Sequence, residues 1–107
     1  MVFFRFSVNQ SFLSESSHPI TVPKSQVDYK TVDNLRLDRK NLTLICPRGE
    51  RIQGHLYAGT AGYGPYFQIR LLGENRRLPS YFKLSDKLIV LLFRVGTKSY
   101  ATLEYRE

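Results

Sequence analysis

Several groups of side chains in this 107-residue chain have types that could do chemistry, and their spacing decides what each can do. Metal-dependent cleavage of phosphodiesters needs two acids and a lysine converging from neighbouring strands. Asp86 and Lys87 stand side by side with no acidic pair on an upstream strand, and Asp38 with Lys40 falls in a charged connection that reads as a solvated loop. Ser14, Ser16 and Ser17 precede His18, but adjacency in a Ser-rich loop does not make an activated nucleophile. The stretch GTAGYG at 59 to 64 has the glycines of a phosphate loop without the Lys-Ser/Thr or the following helix that would hold a phosphate there. His18, His55 and Cys46 are too few and too scattered for a zinc set. No catalytic residue, metal or cofactor is therefore expected, and the chain reads as a binding module, not an enzyme.

What remains is a pattern of polar and aromatic residues on alternating positions. Arg51, Gln53, His55 and Tyr57 alternate with Ile52, Gly54, Leu56 and Ala58, and Tyr66, Gln68 and Arg70 alternate with Phe67, Ile69 and Leu71. Thr60 and Tyr63 fall at the turn between them. Arg, Gln and Tyr suit base edges and phosphates, and no acid interrupts 51 to 71. The whole chain carries 16 Lys and Arg against 9 Asp and Glu, a net charge of +7 that favours a polyanionic partner, nucleic acid being the commonest. A cation-rich face that serves only solubility, or an ordinary wet sheet face, accounts for the same residues.

The elements that must position these residues are strands. Phe4, Phe6 and Val8 alternate with Arg5 and Ser7; a loop over 10 to 19 follows, and Ile20 and Val22 resume the alternation up to Pro23. A short helix is expected within 24 to 40, capped by Ser25 with Asp28 at its third position. Leu42, Leu44 and Cys46 lead through PRGE into the strand from Arg51, and Gly59 to Pro65 turns the chain into the strand that ends near Leu71. A Gly73 to Asn75 turn and an irregular or single-turn helical connection lead to KLIVLLFRV, whose six apolar residues at 88 to 93 read as a strand buried on both faces. Gly96 to Lys98 then turns into a last strand with Tyr100, Thr102 and Glu104 opposite Ala101, Leu103 and Tyr105. The expectation is one domain over 1–107, all-β with one or two short helices, its seven strands rolled into a small barrel or sandwich that hides sheet edges. The lone Cys46 inside an apolar alternation fits a buried thiol in a reducing cytosol. The opening MVFFRF is too short for a signal peptide and the apolar runs too short to span a membrane.

In order of parts the chain resembles the DNA-binding pseudobarrel of the plant B-three family and its bacterial counterparts, the effector domains of EcoRII-type restriction endonucleases. FRFSVNQSFLSESSHPITVPK is similar to that family's first two strands with their intervening arm and terminal Pro-Lys; RLPSYFKLSDKLIVLLFRVGTKSYATLEYR is similar to its closing turn and final strands. The resemblance implies a seven-stranded open pseudobarrel whose two arms grip the major groove. The first arm is then Asn9 to His18, offering Asn9, Gln10, Ser11, Ser14, Ser16 and His18. The second is Arg51 to Arg70, with its tip at Gly59 to Pro65. Arg5, Lys24, Arg76 and Arg77 complete the expected DNA contacts. The absence of Trp points to the bacterial branch, hence to a cytoplasmic recognition domain whose parent chain carries a separate nuclease domain. Two other readings stay open: a single-strand or RNA binder using Tyr57, Tyr63 and Tyr66 as stacking platforms, and a protein-interaction module from a mobile element.

Overall fold

The structure, a computed structural model, describes residues 1–72 and 77–106. Seven strands and two short helices follow one another as β1 (Val2–Ser7), α1 (Gln10–Ser14), β2 (Ile20–Thr21), α2 (Tyr29–Asn34), β3 (Leu42–Ile45), β4 (Arg51–Ala61), β5 (Gly64–Leu71), β6 (Lys87–Val95) and β7 (Lys98–Tyr105). They form one mixed sheet in the order β1-β6-β7-β3-β4-β5-β2, rolled into an open barrel. Every pairing is antiparallel except β3 with β7, which joins the two antiparallel halves in parallel. At the seam, Gln26 acts as a stand-in strand residue for the edge strand β1. Its amide oxygen accepts the Arg5 N–H at 2.8 Å and its amide nitrogen donates to the Arg5 carbonyl at 3.1 Å.

Alternation explains the core. Phe4, Leu42, Leu44, Ile69, Leu71, Leu88, Leu92 and Leu103 are inward-facing strand residues with almost no exposure. The PRGE turn closes as expected, Cys46 donating its N–H to the Glu50 carbonyl at 2.8 Å and Gly49 taking a left-handed φ of 94°.

Three expectations are corrected. The segment 10 to 19 is not all loop: Asn9 caps α1 by accepting the Phe12 N–H at 2.8 Å, and Phe12 anchors the helix in the core. The Phe12 ring meets Phe6 at 5.3 Å and Phe82 at 5.5 Å between centroids, both edge-on. The second helix starts later than Ser25, because Pro23 accepts the N–H groups of Gln26 and Val27 in a turn; Asp28 is its cap, accepting from Lys30 N–H at 2.9 Å. Strand β6 is buried on one face only. Leu88, Val90 and Leu92 point into the core, while Ile89, Leu91 and Phe93 are half-buried on the outside beside Phe3, which is 66% exposed, and Tyr100. Across the ladders Ile89 lies between Arg5 and Glu104 and Leu91 between Phe3 and Thr102, while Phe93 stacks on Tyr100 at 5.4 Å.

The expected Gly73–Asn75 turn and Arg76 lie outside the described residues. Among those described, no helix is long and apolar enough to cross a membrane.

Because Phe12 is fully buried and ties α1 to both β1 and the 80s connection, Phe12→Ala is expected to cost about 3–5 kcal/mol. Denaturant unfolding followed by circular dichroism measures it; a loss below about 1 kcal/mol contradicts the anchoring of α1.

Candidate nucleic-acid interface

The second arm is an extension of the sheet beyond its support. Strand β3 reaches only to Leu42, opposite Gly54, whereas β4 runs on to Ala61 and pairs with β5 alone from His55 to the tip. The last main-chain support on the β3 side is the Leu56 N–H donating to the Arg39 carbonyl at 2.8 Å. Beyond it β4 loses cover: Ala58, expected on the apolar face, is exposed, although its cross-strand partner Phe67 stays buried. The connection at the tip is two residues, Gly62 and Tyr63, with Gly64 at φ 109°. This is tighter than the Gly59 to Pro65 turn read from sequence, and it sets the register Gly59 opposite Tyr66, Tyr57 opposite Gln68 and His55 opposite Arg70.

Those pairs make one connected outer face. The Arg70 guanidinium lies 3.7 Å above the Tyr57 ring, and its Nε and Nη2 donate to Gln68 Oε1 at 2.9 and 2.8 Å. The Gln68 amide nitrogen donates in turn to Thr21 Oγ1 at 2.9 Å, tying the arm to β2. Toward the tip, the Tyr57 and Tyr66 rings lie 6.0 Å apart and Tyr66 and Tyr63 6.1 Å apart. Gly59 makes this possible: a Cβ there would fall 2.6 Å from the Tyr66 ring and 2.7 Å from that of Tyr57. The other face is tied down by Lys24, whose ammonium donates to the Tyr63 carbonyl at 3.4 Å and sits 5.6 Å from the Tyr29 ring. Tyr29 packs on Phe67 at 4.8 Å, with the Arg39 guanidinium 5.1 Å over the same Phe67 ring.

His55 sits opposite Arg70, with its Nδ1 buried and unpaired. Burial first, and then the Arg70 charge, hold its pKa below the ordinary value, so the imidazole is neutral near pH 7. Tyr66 is pushed the other way, by desolvation first and then by Tyr57, and remains a neutral phenol.

The remaining sequence-predicted residues are dispersed. Arg51 and Gln53 lie at the root of β4, opposite Ile45 and Thr43, beside the apolar outer face and far from the tip. Thr60 is exposed near the tip, opposite Pro65; Arg77 is exposed; Arg5 is on the edge strand β1. In the first arm, three candidates are engaged locally. Asn9 caps α1, Ser14 Oγ donates to the Gln10 carbonyl at 2.7 Å, and His18, at φ 44°, places Nδ1 2.7 Å from the Phe12 carbonyl. Gln10, Ser11 and Ser16 are exposed. The Leu71 N–H donates to the Ser17 carbonyl at 2.8 Å, so this arm meets β5 at the end opposite the hairpin tip. Sequence reading missed Thr21 and the role of Gly59; a glycine facing a tyrosine across a hairpin was the available signal.

Compared with family models, curated proteins and solved structures, the chain matches none.

The depressed pKa of His55 fixes a sign. As pH falls, the unfolded chain takes up this proton before the folded one. The stability from a neutral His55 is thus complete above about pH 6.5 and lost as pH drops through the lower folded value. Melting at about pH 7.5 and about pH 5 should show a larger acid-induced drop in Tm for the wild type than for His55→Gln; equal drops contradict it.

Proposed function

We propose that this chain is a sequence-reading, double-stranded DNA-binding module of the pseudobarrel kind, the non-catalytic recognition domain of a restriction endonuclease. The observation that carries the reading is the β4–β5 arm, whose outer face holds Arg70, Gln68, Tyr57 and His55 in a fixed array, with no acidic residue between Arg51 and Leu71. The first arm meets β5 at its root, the Ser17 carbonyl accepting the Leu71 N–H one residue from Arg70, so the two arms offer adjoining contact regions for one site. The rolled seven-strand sheet with two short helices supports the same reading. Lys24, Arg76 and Arg77 serve to neutralise phosphates, while the first arm, with Glu15 as its one Asp, Glu, Lys or Arg, serves hydrogen bonding. Single-strand binding on the tyrosines is the weaker reading: Tyr57 has a ring face covered by Arg70, and Tyr57 and Tyr66 pack on each other, leaving Tyr63, 70% exposed, as the open platform.

Competition among random-sequence duplex, single-stranded DNA and RNA, repeated over a salt series, tests this. The expected outcome is preferential retention of one duplex sequence and a log–log salt slope of about 0.9 per phosphate contact, reduced by about 0.9 for each of Arg76→Ala and Arg77→Ala. A slope near zero, or preference for a single strand, overturns it.

A further inference from the structure

Among the described residues, Arg48 lies over Tyr81 and Lys24 beside Tyr29, while Arg39 lies over Phe67 and is ion-paired with Asp33. The Arg70 guanidinium is held in two ways at once, and by neutral groups: its carbon lies 3.7 Å over the Tyr57 ring and its side-on edge, Nε with Nη2, is taken by Gln68 Oε1. Arginine can only donate, so the Gln68 oxygen must face it, and the amide nitrogen is thereby turned to Thr21. Two of five N–H donors are used. The end-on pair, one hydrogen from each Nη, remains, its direction set by the stack and the amide.

We propose that Arg70 is the residue that reads a guanine in the major groove, with Tyr57 and Gln68 as its positioning residues. This rests on the duplex-binding reading of the same arm. Guanine presents O6 and N7 as two adjacent acceptors, the pair a rigid guanidinium fork matches and no other base offers. Clamping before binding removes the rotamer freedom that a long cation otherwise loses on contact. His55, kept neutral directly across the ladder, adds no competing cation. A phosphate would accept the same fork, but would need neither the fixed plane nor the amide that aims it.

The test starts from the duplex that the wild-type chain selects from a random pool. Each guanine is replaced in turn by 7-deazaguanine, which lacks only the N7 acceptor, and each base pair by the other three. Wild type is expected to lose roughly 5- to 150-fold affinity at one guanine. Arg70→Ala should be indifferent to that replacement while still responding to all others. Tyr57→Leu, which keeps the charge, should reduce discrimination at that base pair alone and leave the salt slope unchanged. The deaza series on wild-type protein needs no variant to fold. If no guanine replacement weakens wild-type binding, or if Arg70→Ala weakens all duplexes alike and lowers the salt slope by about 0.9, Arg70 is a phosphate contact or a bystander and the assignment is overturned. Those outcomes leave duplex selectivity standing. If the wild type selects no duplex at all, the underlying reading fails together with this one.

Discussion

The architecture turns on a mismatch of strand lengths. Strand β3 has four residues and its neighbour β4 has eleven, so more than half of β4 runs past the end of the ladder that should support it. An isolated two-stranded ribbon is marginally stable in water, and the arm is held instead by side chains on both faces. On one, a continuous chain of contacts runs Tyr63, Tyr66, Tyr57, Arg70, Gln68, Thr21. On the other, Lys24, Tyr29 and Arg39 brace the turn and Phe67. The residues that brace the arm are those whose chemistry suits nucleic acid, so in the proposed reading stiffness and recognition are one arrangement.

The outer faces differ in make-up around the barrel. That of β4, β5 and β2 carries Arg51, Arg70, amides and tyrosines, whereas on β1, β6 and β7 the apolar Phe3, Ile89, Leu91, Phe93 and Tyr100 are interleaved with Arg5, Lys87, Thr102 and Glu104. Arg51 and Gln53 sit where the two halves meet, opposite Ile45 and Thr43. A net charge of +7 spread evenly would favour any polyanion weakly.

Much of the fold was legible because period-two alternation follows directly from strand geometry: Phe4 and Phe6, Leu42 and Leu44, Phe67 and Ile69 are all buried as their spacing requires. What escaped depends on distant partners. Helix α1 is five residues long and has no intrinsic claim to form; it exists because Asn9 caps it and Phe12 finds a cage of Phe6 and Phe82. The parallel β3–β7 joint links segments more than fifty residues apart and leaves no local mark. The candidate site was legible as a list of residue types but not as an arrangement. Reading the turn as Gly59 to Pro65 hid the register, and with it the placement of His55 against Arg70 and the clamp on Arg70. Treating 51 to 70 as one arm merged Arg51 and Gln53 at the root with Tyr57 and Arg70 further out.

The central claim is that duplex DNA lies across the β4–β5 outer face from the hairpin arm to α1. Amide chemical shifts of the labelled chain, followed during titration with its selected duplex, test it residue by residue. The account predicts perturbations concentrated at Thr21, His55 to Tyr63, Tyr66 to Arg70 and Gln10 to Ser16, with Phe3, Ile89, Leu91, Phe93 and Tyr100 unmoved. Shifts confined to those apolar residues, with the arm silent, would contradict it and transfer the binding surface to the opposite half of the barrel.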